Sequence, residues 1–303
     1  MTRNQTLRHE QPEEVPLETV LVRYYEGHAK HIPSRVQAEI ALRGWSDFFP
    51  GLLVSELTPE RIEAFIQSMR EKGLSDGYIS RTLSTGKAAL NRAFKRQEVL
   101  RVPYIPLLPS GHPRDRRLSL EESAALFDGC KTDHLFLFLL LAFSTLARPA
   151  ALLELKRQQI DFENRLINLN QPGRRQTKKY RPSLPMAGVL QPWLAQTEGE
   201  QIIAYHGKPI ASIKTAFVAA RKEAGLDSTV TPYTIRHTMA TELRKRGVPP
   251  WEVAGMLGHR SAGYRTTEIY AKYDPSYLGQ AVTAIDSYVT ELDALTSRSL
   301  INH

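Results

Sequence analysis

The chain has 303 residues and is poor in cysteine, with Cys130 as its single thiol. One cysteine cannot form an internal disulfide or a cysteine-based zinc site, which excludes disulfide-stapled secreted domains and zinc fingers. Long apolar runs are also missing: the longest, LFLFLLLAF at 135–143, is far short of the roughly 18 to 20 residues that a membrane span requires. The opening residues, MTRNQTLRHEQPEE, lack the apolar core of a signal peptide. We therefore expect a cytoplasmic protein with no membrane partner.

Acidic residues are scarce as well. The chain carries 40 Lys and Arg against 32 Asp and Glu, a net charge of +8, and has no acid between residues 166 and 197. Excess positive charge favours a polyanionic partner such as nucleic acid, although basic proteins without one are common. The sequence has no H-E-x-x-H motif and no compact Asp/Glu cluster of the kind that holds Mg²⁺. We therefore expect neither a metal nor another cofactor.

Prolines divide the chain. The stretch PYIPLLPSGHPRDRR at 103–117 contains four of them and is typical of an extended linker. Just after it, Ser119 and Glu122 form an S-x-x-E capping box that predicts the start of a helix. We predict a flexible tail at 1–16, a helical domain at 17–107, a linker at 108–117 and a second domain at 118–303.

Apolar periodicity predicts a mainly α fold with a small antiparallel β-sheet. In the first domain, helices are expected at roughly 17–30, 34–49, 58–72 and 76–97. In the second, alternating apolar residues near 160–162, 166–169 and 184–186 predict three short strands. Helices surround these strands, at about 119–129, 133–147, 187–197, 209–224, 232–246, 249–257 and 275–295.

Two basic stretches are candidates for contact with DNA. Opposite its apolar stripe, the helix at 76–97 has a polar face formed by Arg81, Ser84, Lys87, Asn91 and Lys95. A solvated helix face is the ordinary explanation, and a helix lying in a DNA groove is the alternative. The second stretch, QPGRRQTKKYRP, joins two predicted strands and contributes Arg174, Arg175 and Lys179.

Five more residues combine reactive side chains with unusual positions: Arg148, Lys178, Arg236, His259 and Tyr270. Arg148 ends the most apolar helix, while Arg236 lies at the edge of a buried helix face. A permanent charge is costly there unless an anion meets it. Taken singly, each residue has an ordinary explanation, such as an arginine that pairs with helix carbonyls or a tyrosine that packs.

Together these residue types fit one reaction, the transfer of a DNA phosphodiester. Two arginines can hold the non-bridging oxygens and neutralise the charge that builds in the transition state. A lysine can protonate the departing 5′ oxygen, and a histidine can donate a hydrogen bond to the phosphate. A tyrosine can attack the phosphorus and conserve the bond energy as a phosphotyrosine. This chemistry requires no metal.

Five sequence boxes resemble those of tyrosine recombinases of the phage integrase family. In the family's order, they are FSTLARPAALLEL, QTKKYRPSLPM, TPYTIRHTMATEL, LGH and TTEIYAKY. The resemblance implies a site-specific recombinase that cuts and rejoins duplex DNA through a 3′-phosphotyrosine, without metal or ATP. It assigns Tyr270 as the nucleophile, and it places in the same site Arg148, Lys178, Arg236, His259 and the accessory candidates Tyr233 and His237.

The same resemblance implies an architecture. Residues 17–107 would be a SAM-like core-binding domain and 118–303 an α+β catalytic domain. In the family the two domains clamp the duplex and four protomers assemble on two sites. We therefore expect a nucleoid-associated homotetramer on DNA, with no small-molecule substrate. The family's C-terminal helix docks onto a neighbouring protomer; here that face would be Ala281, Ile285, Tyr288 and Val289, and the alternative is that the helix packs on its own domain.

Two residues depart from the family pattern within its arginine boxes. Tyr233 stands where the family usually has histidine. A phenol can donate a hydrogen bond to phosphate, but it is a poorer proton shuttle near pH 7. Ala151 stands where an acid usually follows the first arginine, so another group must orient Arg148.

Spacing leaves alternatives for two other roles. The turn that carries the lysine is slightly short, so Lys179 is a second candidate beside Lys178. The interval from His259 to the nucleophile is longer than usual, which leaves Tyr264 and Tyr273 as rivals of the assigned tyrosine.

Two other functions share part of this pattern. A type IB topoisomerase would use the same chemistry without exchanging DNA partners. A non-catalytic DNA-binding regulator could use ELRKRGVPPWEVAGMLGH as a helix-turn-helix with Gly247 at the turn. Such a regulator would not need Arg148, Lys178 or Tyr270, and the full set therefore favours the recombinase.

Overall fold

The computed structural model describes residues 15–109, 115–177, 179–259 and 274–301. These residues belong to two units, 1–113 and 114–303, each with its own apolar core. None of the helices in this described part is long and apolar enough to cross a membrane.

Four α-helices build the described part of the first unit: α1 (Leu17–Gly27), α2 (Arg35–Phe48), α3 (Pro59–Glu71) and α4 (Asp76–Lys95). Thr58 and Ser75 cap α3 and α4 by accepting hydrogen bonds from main-chain N–H groups of the first turn. Gly86 of α4 lets the Trp45 ring of α2 approach so closely that a Cβ would lie 2.2 Å from it. Trp45 Nε1 also donates to the Thr82 carbonyl at 2.9 Å. The contact between α2 and α4 therefore requires a residue without a side chain.

The beginning of the first unit differs from its prediction. Val15 and Pro16, the last residues of the predicted flexible tail, pair with the chain that follows α2. Val54 N donates to the Val15 carbonyl at 2.9 Å, and Pro16 forms an antiparallel bridge with Leu53. Val15 is buried, which removes its apolar side chain from water. The packed part of the first unit therefore includes residues 15 and 16.

The described part of the second unit is mainly helical. Its helices are α5 (Leu120–Asp128), α6 (Asp133–Thr145), α7 (Pro149–Leu153), α8 (Gln191–Gln196), α9 (Lys214–Glu223), α10 (Pro232–Lys245), α11 (Pro250–Met256) and α12 (Gly279–Asp293). The predicted capping box of Ser119 and Glu122 starts α5. The apolar run noted in the sequence is α6, which is buried almost throughout and packs against α10 and α12.

Three short strands form the antiparallel sheet that the sequence predicts. They are β1 (Ile160–Asp161), β2 (Leu166–Asn168) and β3 (Ser183–Pro185), in the order β1-β2-β3. Ile167 lies opposite Ile160 on one side and Leu184 on the other. The prediction of a mainly α fold with a small antiparallel sheet is confirmed.

A second strand pair is absent from the prediction. It consists of β4 (Ala204–Tyr205) and β5 (Lys208–Pro209), joined by His206 and Gly207. Both joining residues have positive φ, 50° and 72°, as in a two-residue hairpin turn. This hairpin occupies the start of the helix predicted at 209–224, so α9 begins only at Lys214.

The C-terminal helix bears on another prediction. The four residues expected to form a docking face for a neighbouring protomer are buried inside the second unit: Ala281, Ile285, Tyr288 and Val289. Their spacing makes an apolar stripe along α12, and packing it against α5 and α6 removes that stripe from water. Burial raises the pKa of Tyr288 to about 12, and its hydroxyl lies 3.1 Å from Ser123 Oγ. These side chains therefore pack on their own domain in the single chain, as the alternative states, and docking onto a neighbouring protomer stays a prediction.

Candidate active site

Local sequence determines where α10 begins and hence where Arg236 lies. Thr231 N donates to Thr234 Oγ1 at 2.9 Å, and Pro232 occupies the first helical position, where a missing N–H is harmless. Ile235 is fully buried in the core of the second unit. Arg236, the next residue, lies at the edge of that buried face.

Arg236 is held by two main-chain carbonyls. Its side chain is largely buried, with 9% of the residue exposed. Nη1 donates to the Leu146 carbonyl at 2.5 Å and Nη2 to the Leu257 carbonyl at 2.7 Å. Because a guanidinium is a rigid planar fork, these two bonds determine the direction of its remaining N–H groups.

Arg148 is positioned by the turn between α6 and α7. Leu146 ends α6 in the left-handed conformation, with φ 53°, and Arg148 is then the N-cap of α7, before Pro149. Arg148 Nη1 donates to the Tyr180 carbonyl at 2.9 Å. Ala151 cannot supply the acid that the family usually has there, and a main-chain carbonyl is the group that meets the first arginine instead.

His259 follows a tight helix end. Its N–H donates to the Ala254 carbonyl at 2.9 Å, while Gly258 has φ 61°, so α11 ends in a Schellman motif. A Cβ at Gly258 would lie 2.8 Å from Pro182 Cδ and 2.9 Å from the Tyr180 carbonyl oxygen. Glycine is therefore required both by the backbone angle and by the chain after the lysine turn, which packs directly against it.

These segments bring one histidine beside the two arginines. His259 Nε2 lies 3.4 Å from Arg236 Nη2. A guanidinium has only donors, so Nε2 is the acceptor in this contact and the imidazole proton is on Nδ1. Residues far apart in the sequence thus form one cluster, since the Tyr180 carbonyl that accepts from Arg148 also lies against Gly258.

The cluster carries positive charge that no acid of the described residues balances by a salt bridge. In the described part of the chain, neither Arg148 nor Arg236 has a salt bridge, and both are bonded to carbonyls. Burial, and then the neighbouring Arg148, lower the pKa of Arg236 to about 10, partly offset by Tyr233. Burial and the two arginines also lower the pKa of His259 below its usual 6.5. The site is therefore built to receive an anion, and its histidine is neutral near pH 7.

The lowered pKa of His259 is a measurable consequence of this geometry. We expect its imidazole to titrate below pH 6.5 in the free protein, followed by ¹H–¹⁵N NMR of the ring nitrogens. Arg148→Ala removes one nearby positive charge, so the midpoint should rise. His134 is the control, because its pKa is lowered by its own burial, with Asp133 and His206 as its charged neighbours. The titration midpoint of His134 should stay unchanged in Arg148→Ala. If the midpoint of His259 also stayed unchanged, that result would contradict the proximity of Arg148.

The remaining predicted site residues divide into two groups. Tyr233 and His237 lie one turn apart on α10 and are both exposed, 49% in the case of Tyr233. Their accessory roles stay predictions. Lys178 and the tyrosines 264, 270 and 273 lie outside the described residues. Lys179 is exposed, and its N–H donates to Thr177 Oγ1 at 3.2 Å.

The residues predicted to contact DNA are mostly exposed. On α4 the exposed ones are Arg81, Ser84, Asn91 and Lys95. Lys87 differs, because its Nζ donates to the Ile105 carbonyl at 3.1 Å and its side chain is half-buried. In the loop between β2 and β3, Arg175 is exposed, whereas Arg174 is half-buried and donates to Asn170 Oδ1 at 2.8 Å.

Sequence reasoning missed the groups that hold the arginines, because they are main-chain carbonyls of Leu146, Tyr180 and Leu257. Any residue type supplies a carbonyl, so no motif marks them. The one usable signal was the glycine before His259, whose positive φ aligns the helix end with the site. Within the described ranges, no group of three or more His, Cys, Asp or Glu side chains is placed to hold a metal ion.

In this helical fold with a small sheet, two arginines and a histidine form a site suited to an anion. The sequence model of the Phage integrase family matches residues 116–276, more than half of the chain. The chain belongs to the phage integrase family and is a tyrosine-type site-specific recombinase.

Curated relatives and a solved structure agree with this assignment. The chain is 28% identical to tyrosine recombinase XerC of Chlamydia trachomatis serovar L2 over 249 residues, 73% of this chain and 75% of that one. It is 26% identical to tyrosine recombinase XerA of Pyrococcus furiosus over 276 residues, 85% and 92% of the two chains. The fold is similar to that of lambda integrase, crystallised as a tetramer bound to a Holliday junction, with a TM-score of 0.70, 20% identity and coverage of 90% and 83%.

Proposed function

We propose that this protein cuts and rejoins duplex DNA at specific sites through a covalent 3′-phosphotyrosine, without metal or ATP. The observation that carries the proposal is the uncompensated pair Arg148 and Arg236, held by carbonyls beside a neutral His259. Arginines held in this way keep N–H donors free for the two non-bridging oxygens of a phosphodiester. A binding protein that only tracks the DNA backbone would have little reason to bury one of them.

The reaction proceeds by exchange of one phosphoester for another. The Tyr270 oxygen forms a bond to phosphorus as the bond to the 5′ oxygen breaks. The phenol proton passes to solvent water, His259 donates a hydrogen bond to the phosphate, and the 5′ oxygen takes a proton from Lys178 or Lys179. Charge on the pentavalent transition state is stabilised by the two arginines. The reverse sequence, with the 5′ hydroxyl of another strand, completes the exchange.

In this proposal the two basic stretches contact DNA away from the reacting phosphate. In this proposal α4 presents Arg81, Ser84, Asn91 and Lys95 to the duplex, with Lys87 near its edge, and the β2–β3 loop presents Arg174, Arg175 and Lys179. The first unit thus acts as the core-binding domain. Such contacts neutralise phosphates and position the protein, so binding should weaken steeply as salt concentration rises.

Assembly and location follow from the same proposal. Lambda integrase forms a tetramer on a Holliday junction, and we extend that stoichiometry to this chain: four copies on two recombination sites. Tyr233 and His237, exposed on the helix that carries Arg236, are assigned accessory contacts to the same phosphate. Because its substrate would be DNA, we propose that the protein is located at the nucleoid in the cytoplasm.

The test is the capture of the covalent intermediate. DNA bound by the protein is first selected from a random duplex library. Suicide duplexes with a nick near the cleavage position are then built on the selected site. Because the nick lets the short leaving strand diffuse away, the enzyme should stay attached to DNA, and mass spectrometry should find the phosphotyrosine at Tyr270. Cleavage should proceed equally well in EDTA.

Each alternative predicts a different outcome. Tight binding to the selected DNA without any adduct would favour the non-catalytic regulator and reject the proposal. An adduct combined with relaxation of supercoiled plasmid, but no strand exchange between two sites, would favour a type IB topoisomerase. Adduct formation together with exchange between two labelled sites is the result that we expect.

A further inference from the structure

One ion pair outside the arginine cluster joins the two segments that form it. Glu154 is the C-cap of α7, the short helix that starts directly after Arg148. Its Oε2 lies 2.7 Å from Nη1 of Arg181, the residue after Tyr180. The Arg181 side chain is only 10% exposed. The carboxylate thus connects the helix that follows the first arginine to the segment whose carbonyl meets that arginine.

Further hydrogen bonds connect both ends of the loop between β2 and β3 to this ion pair. The carbonyl of Glu154 accepts from Gln171 Nε2 at 2.7 Å, at the start of the loop between β2 and β3. At the other end of that loop, the Gln176 amide accepts from Arg181 N at 3.2 Å and donates to the Arg181 carbonyl at 2.8 Å. The loop that carries both candidate lysines is therefore bonded to Glu154 directly at its start and through Arg181 at its end.

The pair also accounts for the alanine at 151. Ala151, one turn after Arg148, is a buried methyl group and supplies no carboxylate there. The carboxylate here stands one turn later, at Glu154, and reaches Arg148 only through Arg181 and the adjacent Tyr180 carbonyl. Since Arg181 is buried, its charge has to be met, and Glu154 is the acid that pairs with it in the described structure.

We infer that Glu154 and Arg181 are positioning residues for the cleavage step: they hold the Tyr180 carbonyl against Arg148 and set the lysine-bearing loop relative to it. This inference rests on the proposed function. Neither residue touches the phosphate, so their loss should slow the cleavage of bound DNA without weakening binding. Misplacing a reacting group by about 1 Å can cost on the order of 100-fold in rate.

The experiment compares Glu154→Gln with wild type in single-turnover cleavage of the suicide substrate. At saturating protein, the rate of adduct formation should fall about 10- to 100-fold, while the Kd for an intact duplex stays within about 2-fold. The matched control is Glu200→Gln, which removes the acid of the nearby, more exposed pair with Lys156, 2.8 Å long. This control should cleave at the wild-type rate.

Two further variants separate positioning from a loss of folding. Glu154→Asp keeps the charge and should recover most of the rate. The reversed pair, Glu154→Arg with Arg181→Glu, should cleave faster than either single reversal. A Glu154→Gln variant that cleaves as fast as wild type, or that loses binding in proportion to rate, would overturn the inference.

A readout independent of activity keeps this inference distinct from the proposed function. If Glu154→Gln lets Arg148 move away, the NMR titration midpoint of His259 should rise towards its ordinary value, as in Arg148→Ala. Wild type without any adduct would reject the proposed function, and the His259 titration would then still decide whether the ion pair positions Arg148. An unmoved midpoint in Glu154→Gln would reject that coupling.

Discussion

Replacing Tyr270 with phenylalanine should abolish the covalent protein–DNA product and leave DNA binding unchanged. The substitution removes one oxygen, the atom that we assign to the attack on phosphorus. Loss of a catalytic nucleophile costs on the order of 10⁴- to 10⁶-fold in rate, which puts the adduct below detection on the suicide substrate. Binding measured by fluorescence anisotropy should keep the wild-type Kd, because the phenol ring remains.

The two rival tyrosines provide matched controls for this experiment. Tyr264→Phe and Tyr273→Phe make the same change in the same part of the chain, between His259 and Asp274. Both should still form the adduct. An adduct that persists in Tyr270→Phe and disappears in one of these controls would transfer the nucleophile assignment to that residue.

The sequence predicts the charged members of the site better than their surroundings. Arg148, Arg236 and His259 were all assigned from short motifs, and the structure brings them into one cluster. Motifs identify them because phosphate chemistry accepts few side chains in these roles. The carbonyls that hold the arginines come from Leu146, Tyr180 and Leu257, where the side chain does not determine the function.

The partner of a surface is harder to predict than the surface itself, because one amphipathic pattern fits several partners. The stripe on α12 predicted an apolar contact correctly, and in the single chain its own domain buries it, while docking onto a neighbouring protomer stays a prediction. Periodicity reports that a face is buried and not what buries it. Lys87 shows the same limit on α4, because a polar position that fits a DNA-facing stripe also donates to the Ile105 carbonyl.

The fold itself was largely predictable where local signals agree. The start of α5 at the Ser119 capping box and the three strands around Ile167 follow from residues that are close in sequence. The short β4–β5 hairpin was missed because its turn depends on His206 adopting positive φ, which is uncommon for a residue with a side chain. The helix α7 was missed for a related reason, since five residues carry too little periodicity.

Arg236→Lys should reduce cleavage on the order of 10²- to 10³-fold while DNA binding changes little. Lysine keeps a positive charge in solution but lacks the planar fork that reaches two carbonyls and a phosphate together. The Leu146 and Leu257 carbonyls would lose their donors, and the ammonium could replace at most part of these bonds. Single-turnover cleavage of the suicide substrate measures the loss, with the Kd as the parallel reading.

The burial of position 236 makes the exchange more severe than charge alone suggests. The surroundings lower the pKa of Arg236 to about 10, and arginine stays protonated at pH 7 because its ordinary value is so high. A lysine starts from about 10.4, so the same burial and the same neighbour, Arg148, would bring its ammonium much closer to neutrality. The cleavage rate of Arg236→Lys should therefore fall further as pH rises from 7 to 9, over a range in which wild-type Arg236 keeps its charge.

Arg244→Lys provides the control for this prediction, because Arg244 lies on the same helix, α10, and is exposed. It makes the same chemical change without burial, and it should cleave at the wild-type rate at every pH. Suppose that Arg236→Lys cleaved DNA at a rate within about 3-fold of wild type. The planar fork would then contribute less to the cleavage rate than a single oxyanion donor usually does. Arg236 would then act as a charge near the DNA and not as a clamp on the reacting phosphate.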